Sequence, residues 1–364
     1  MRHLPTPDRN GRRRTRPLGG KLAVMGPSLL ERAQGGDDGA FGELVAPYRA
    51  ELHLHCYRVL GSVVDADDVL QDTMIAAWRA IGGFCGQSSL RTWLYRIATN
   101  RCLNAVRDAK RRPPPVPIPP FSPPRPSGAF EATWLQPYPD AWLEQPADPQ
   151  ARLEAGEAVR LAFVAALQRL APRQGAALLL YDVLGFSLPE VAAMLDATPT
   201  AVKGLLQRAR AGLERDPHLS PRGPASPGST ADDEVARRFA EAYSADDVDA
   251  LVALLTDDAW LAMPPAPHLY RGADAIARFL RASAAGRAGQ RLRLVPTRAN
   301  GQRAFLCFLG GPGDPRARPS GAVVLDIAAC RITAITRFLE PTLVKIFLPL
   351  GSLSHEVTSR SSGS

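Results

Sequence analysis

Apolar positions recur at helical spacing through the first two thirds of the chain and tend to alternate in the last third. In DADDVLQDTMIAAWRAI (65–81), Ala66, Val69, Leu70, Thr73, Ala77 and Ile81 form one buried stripe. Asp65, Asp68, Asp72 and Arg79, with Gln71 beside them, fall on another face. In SSLRTWLYRIATNRCLNAVRDAKRR (88–112) the stripe is Leu90, Trp93, Leu94, Ile97 and Cys102. Further on, Ser187 and Glu190 have capping-box spacing, and Leu188, Val191, Ala192 and Leu195 give a short helix its inward side. Asp196 and Ala197 separate it from a second helix, with Thr198 as cap and Pro199 at the first helical position, where its missing N–H costs nothing. Val202, Leu205, Leu206, Ala209 and Leu213 line one side of that helix; Thr200, Lys203, Gln207 and Arg210 line the other. The pair predicts a helix-turn-helix, whose second helix can lie in a DNA major groove. An ordinary helical hairpin with a solvated basic face fits the local pattern equally well.

Composition divides the chain. A basic, disordered tail is expected over 1–27, and a helical block over 28–112, entered through SLLE, again at capping-box spacing. Residues 113–150 hold thirteen of the 34 prolines and read as extended linker. The helix-turn-helix block covers 151–216 and is closed by the linker 217–229 within a Pro, Gly and Ser stretch. Residues 230–350 open with two helices, then give a short strand near Trp260, a helix at 272–285, and the strands RLRLV, AFLCFL, AVVLDI and RITAITRFL, with Asn300-Gly301 as a hairpin turn. A second disordered tail is expected over 351–364. The fold class is therefore multidomain: two all-α domains joined by a Pro-rich linker, then an α+β domain with a curved antiparallel sheet.

Charge and cysteine usage narrow the classes. No run of about 18 apolar residues occurs, so no membrane span is expected. The basic N-terminus is followed by an apolar stretch too short and broken for a signal peptide. Five scattered cysteines without C-x-x-C spacing fit a reducing cytoplasm, and HLHC (53–56) supplies no four-ligand set, so neither a metal nor another cofactor is expected. The net charge of +8 is concentrated: the first 24 residues hold seven basic side chains against Asp8, and the remainder is nearly balanced. Local patches therefore matter more. From 91 to 112, Arg91, Arg96, Arg101, Arg107, Lys110, Arg111 and Arg112 stand against Asp108 alone, with Trp93, Tyr95 and Asn100 interleaved. That composition suits phosphate neutralisation plus base contact or stacking. Acids in a first helical turn serve the helix dipole, which accounts for Asp65 and Asp67 but does not require Gln71 or Asp72.

DADDVLQDTMIAAWRAI, then SSLRTWLYRIATNRCLN, then a linker, then FSLPEVAAMLDATPTAVKGLLQRARAGL resembles a sigma-70-type factor of the extracytoplasmic-function group, with its regions two and four. The three motifs stand in the right order over about half the chain. The resemblance implies that Asp68, Gln71 and Asp72 dock on the clamp helices of the RNA polymerase β′ subunit. It implies that the loop GGFCGQSS (82–89) and the helix after it capture and melt the −10 promoter element, with Arg91, Arg96, Asn100 and Arg107 on that side. It places Thr200, Lys203, Gln207, Arg208 and Arg210 at the −35 element. Leu205 departs from the Arg that many members carry, which leaves base preference there open. Such a protein needs no catalytic residue, since unstacking DNA can be offset by holding a flipped base and binding the displaced strand.

The order of elements after 230, with PHLYRGADAIARFLR (267–281), resembles the SnoaL-like, ketosteroid-isomerase-related cone fold, which a subset of these sigma factors carries. TWLQPYPDAWLE (133–144) looks typical of that subset. Trp134, Tyr138 and Trp142 recur every four residues, to anchor on a neighbouring surface or simply to order the linker. His268, Tyr270, Asp326 and Arg337 are candidate pocket residues; the bland reading puts Asp326 and Arg337 on a sheet face or rim and His268 in a loop. Regulation by packing against region two, region four or the linker is the expected role, with an anti-sigma factor or small ligand as candidate partner. The alternative is a SnoaL-like small-molecule enzyme or ligand sensor fused to a helix-turn-helix DNA-binding regulator.

Overall fold

The computed structural model describes residues 28–109, 121–130, 135–143, 159–214, 230–310, 314 and 317–348. Both expected tails, the linker 217–229, Trp134, and the basic residues Lys110, Arg111 and Arg112 lie outside the described residues.

The first block consists of α1 (Leu29–Gln34), α2 (Asp38–Val45), α3 (Arg49–Leu60), α4 (Val63–Ala80) and α5 (Leu90–Ala109). Ser28 and Glu31 close the capping box of α1. Gly61, at φ 76°, ends α3 in the left-handed conformation that glycine adopts freely. The helix α4 begins two residues before the apolar pattern because Ser62 is its cap, accepting from Asp65 N at 3.1 Å. Ser89 does the same for α5 through Thr92 N at 3.0 Å.

The second block comprises α6 (Leu161–Arg169), α7 (Pro172–Leu178), which runs on into a π-helical turn Leu179–Val183, then α8 (Leu188–Met194) and α9 (Pro199–Glu214). The caps read from sequence are in place: Ser187 and Glu190 form the box on α8, and Thr198 Oγ1 accepts from Ala201 N at 3.2 Å. Asp196, at φ 45°, makes the turn between α8 and α9.

The last block holds α10 (Thr230–Ala245), α11 (Val248–Ala253), β2 (Leu255–Met263), β3 (Ala266–Arg271), α12 (Ala273–Gly286), β4 (Leu292–Ala299), β5 (Gln302–Leu309), β6 (Arg318–Ala328), β7 (Arg331–Phe338) and α13 (Leu343–Phe347). The strand β3 departs from the sequence expectation, which places no strand there: PHLYR is short, starts with Pro and abuts the next helix, so its alternation is too brief to register. His268 accordingly lies in a strand and not in a loop. Asn300 and Gly301, at φ 57° and 69°, turn β4 into β5 as expected.

The linker reading needs a second correction. Residues 128–129 form β1 (Gly128–Ala129), which pairs with β3, so the sheet order is β1-β3-β2-β7-β6-β5-β4, antiparallel except for parallel β2 and β7. Leu135, Gln136 and Tyr138 are buried. Two pieces of the Pro-rich stretch are thus docked structure and not free extended chain.

The sheet has two apolar faces. Phe305, Cys307, Val323, Leu325 and Ile335 face α10 and α12, where Phe239 and Phe279 complete a core of their own. Ala304, Leu306, Phe308, Val324 and Phe338 instead join the core of the two helical blocks and the linker. Burial of that outer face, at about 25 cal/mol per Å² of apolar surface, fixes the last block against the rest.

Candidate polymerase and promoter interface

The acidic side of α4 is open. Asp68, Gln71 and Asp72 are exposed, with Val64 and Ile75 exposed at either end of the same side. Among the described residues neither Asp68 nor Asp72 takes an ion pair, so the ridge has no internal use for its charge. The N-terminus of α4 is held by Gln136 of the linker. Its Oε1 accepts from Ser62 Oγ at 3.0 Å and Val63 N at 2.9 Å, and its Nε2 donates to Glu340 Oε2 at 2.9 Å. Burial raises the pKa of the neighbouring Asp65, and the charges of Asp68 and Glu340 push it the same way.

The residues assigned to the −10 side are spread along α5, and most are engaged. Arg91 pairs with Glu51 at 3.0 Å, and its guanidinium lies 4.8 Å from the Tyr95 ring centroid and 4.7 Å from that of Phe186. Arg96 donates to Asp196 at 3.0 Å, and Asn100 Nδ2 to the Met194 carbonyl at 3.4 Å. Arg107 is exposed beside Asp108 at 3.6 Å. Tyr95, read as interleaved among the surface cations, is wholly buried, whereas Trp93 is half-buried against Phe84 at 5.2 Å. Phe84 roots the otherwise exposed loop 82–89, and Gln34 Nε2 donates to its carbonyl at 2.7 Å.

On α9 the five residues assigned to the −35 side, Thr200, Lys203, Gln207, Arg208 and Arg210, are all exposed. Val202, Leu206 and Ala209 are buried behind them. Leu205 is half-buried and packs on the core, so it adds no polar group to the outer side. Arg210 is held by both oxygens of Asp182, at 3.1 and 2.6 Å, from the π-helical turn.

Of the four candidate pocket residues, Asp326 is separated from Tyr270 and Arg337 by the sheet. Tyr270 and Arg337 lie on the inner side of the sheet and are buried. Tyr270 donates to the Pro124 carbonyl at 2.9 Å; Arg337 donates to Ala322 O at 3.1 Å, Ser320 O at 2.6 Å and the Phe338 carbonyl. Burial raises the pKa of Tyr243 nearby, while Arg337 opposes the shift. Asp326 is turned the other way, in an ion pair with the buried Arg160. His268 is half-buried, and its Nδ1 makes no hydrogen bond among the described residues. A carboxylate on the opposite side of a sheet from the tyrosine and arginine cannot share a reaction centre with them.

Sequence reasoning missed Gln136, Glu340 and Asp182, and it saw Asn300 only as a turn. Asn300 is wholly buried. Its Nδ2 donates to Tyr57 Oη at 2.8 Å and to the Val159 carbonyl at 2.7 Å, and its Oδ1 accepts from Tyr138 N at 2.8 Å. One side chain therefore joins α3, the linker and the entry to α6.

Three family matches cover these blocks: Sigma-70 region 2 over residues 44–112, Sigma-70 region 4 over 160–213, and a SnoaL-like domain over 236–335. The chain is 42% identical over 313 residues to the ECF RNA polymerase sigma factor SigG of Mycobacterium tuberculosis strain H37Rv, spanning 85% of this chain and 84% of SigG. It is 30% identical over 240 residues to SigJ of the same strain, spanning 64% and 69% of the two chains. The crystal structure of Mycobacterium tuberculosis SigJ has the same fold, with a TM-score of 0.53 at 24% identity over 85% of this chain and 99% of that one. The chain belongs to the extracytoplasmic-function sigma factors of RNA polymerase, the family that directs promoter-specific initiation, and carries a SnoaL-like domain fused behind region four. Sigma factors are not enzymes. Among the described residues no helix is long and apolar enough to cross a membrane.

Proposed function

We propose that this sigma factor loads onto core polymerase through the α4 ridge, Asp68, Gln71 and Asp72 meeting the β′ clamp helices. It reads the −35 element with Thr200, Lys203, Gln207, Arg208 and Arg210. It engages the −10 element with Arg91, Arg96, Asn100, Arg107 and the loop 82–89. The carrying observation is an acidic ridge without internal partners on one module, together with an exposed cationic recognition helix on another. Its place of action is the cytoplasm, where polymerase and promoter are.

The SnoaL-like domain acts as a regulator and not as an enzyme. The separation of the Asp326 carboxylate from Tyr270 and Arg337 supports that reading, and so does the junction at Asn300 and Gln136. Opening the junction exchanges its buried hydrogen bonds for bonds to water, at a net loss of about 0.5–1.5 kcal/mol each, so the domain biases the chain toward this closed arrangement. A small ligand or an anti-sigma factor would act by shifting that balance. Reconstituted run-off transcription with core polymerase across a promoter library tests the sigma role. The same assay on Asn300→Ala tests the regulatory one, and output unchanged from wild type would remove it.

A further inference from the structure

The contact between α5 and the helix-turn-helix has one direction of polarity. From α5, Arg96 donates to the Asp196 carboxylate at 3.0 Å, Asn100 donates to the Met194 carbonyl at 3.4 Å, and the Thr92 hydroxyl donates to the Glu190 carboxylate at 3.0 Å. All three donors lie on α5, the helix assigned to the −10 side, and all three acceptors lie in region four. Between them Phe186 packs edge-on against Tyr95 at 5.1 Å and under the Arg91 guanidinium. Nucleic acid offers the same set: anionic phosphate oxygens, neutral base or sugar acceptors, and a flat apolar surface for a cation or ring to stack on.

The acidic groups are placed for this by local structure. Asp196 sits at φ 45° in the turn between α8 and α9, a conformation that Asp and Asn tolerate better than other side-chain-bearing residues. Glu190 reaches α5 while also closing the capping box of α8 with Ser187, at 2.9 Å from its N–H. The Arg96–Asp196 pair is solvent-exposed on both sides, at 51% and 68%. Such a pair is weak and salt-screened, hence easily exchanged for a stronger polyanion.

We infer that the acidic edge of region four is an internal stand-in for single-stranded DNA, with Asp196 and Glu190 holding the positions on α5 that the −10 strand takes. The inference rests on the assignment of α5 to the −10 element. It adds that DNA and region four compete for one surface, so the free chain binds a single strand poorly until region four moves away.

The test uses the full chain and a short fluorescein-labelled A/T-rich single-stranded DNA, with affinity read by anisotropy. The double variant Glu190→Gln, Asp196→Asn removes both charges and preserves the local structure, since Gln serves a capping box and Asn tolerates positive φ. It should bind the strand roughly fivefold more tightly than wild type, the scale of one or two exposed charge pairs, and the same two substitutions should give a smaller gain when made on Arg96→Gln and compared with Arg96→Gln alone. No gain overturns the inference. A gain that is undiminished relative to Arg96→Gln alone also overturns it, because the effect would then come from net charge and not from α5. Run-off transcription by the wild-type chain separates the two levels: initiation without a gain in the double variant removes only the masking, whereas failure to initiate removes the promoter assignment and the masking with it.

Discussion

The side-chain amide of Asn300 donates to the hydroxyl of Tyr57 across 2.8 Å, and that hydroxyl donates onward to the Gln136 carbonyl at 2.8 Å. Burial pushes the Tyr57 phenol well above its ordinary pKa, so it stays neutral and can serve as acceptor and donor together. Tyr57→Phe leaves Asn300 Nδ2 and the Gln136 carbonyl each short of a partner inside the protein. A loss of about 2 kcal/mol in urea denaturation is expected, with no change in far-UV circular dichroism.

The pairing of Arg160 with Asp326 carries a second prediction. Arg160 is buried at the entry to region four, and Asp326 reaches it from the sheet. Replacing Arg160 with Met removes a buried cation that faces a mostly buried carboxylate and should cost about 3 kcal/mol. Asp326→Asn, which keeps a hydrogen-bond acceptor, should cost less than Arg160→Met in the same denaturation experiment.

Acid should destabilise the chain before its carboxylates titrate. His55 is wholly buried, bonds Thr99 Oγ1 at 2.9 Å, and has a pKa lowered from 6.5 to about 3 by desolvation, with Arg58 and Arg91 adding to the effect. Between those values the unfolded chain binds a proton that the native chain refuses, so stability rises with pH through this window and falls as pH drops below 6.5. At pH 5 the loss from this residue alone is about 2 kcal/mol relative to pH 7. Desolvation lowers His53 in the same direction, opposed by Asp67. The measurement is the urea midpoint from pH 7 to pH 5; His55→Gln should flatten the slope.

Gly286 marks where the linker crosses α12. A Cβ there would sit 2.4 Å from Phe121 Cβ, and Phe121 packs on Phe279 with ring centroids 5.6 Å apart. Gly286→Leu should therefore expel Phe121 and loosen the strand that follows. Hydrogen exchange at Ser127 N and Phe130 N, which donate to Leu269 O and Pro267 O at 2.9 and 3.1 Å, should speed up by tenfold or more, as expected when about 1.4 kcal/mol of local protection is lost.

The helices were legible where caps and periodicity agreed, as at Ser187 with Glu190 and at Thr198 with Pro199. The exposed ridge of Asp68, Gln71 and Asp72 and the outer side of α9 were legible too, because amphipathic spacing alone decides which residues face out. What was hidden depended on contacts far apart in sequence. Nothing around Asn300 signals that its amide reaches Tyr57, and nothing around Gln136 signals that it caps α4 from 72 to 74 residues away. The strand β3 was lost for a different reason, since six residues offer too little alternation to compete with the helix pattern beside them.

The central claim is that α4 seats this protein on core polymerase by charge. Affinity of the full chain for purified core enzyme, measured by fluorescence anisotropy for wild type and for Asp68→Arg, Asp72→Arg, tests it directly. Both side chains are exposed and unpaired among the described residues, so the variant should keep its circular dichroism and denaturation midpoint. The account predicts a loss of at least a hundredfold in affinity, about 3 kcal/mol for reversing two charges at an interface. A variant that binds core polymerase as tightly as wild type would contradict it.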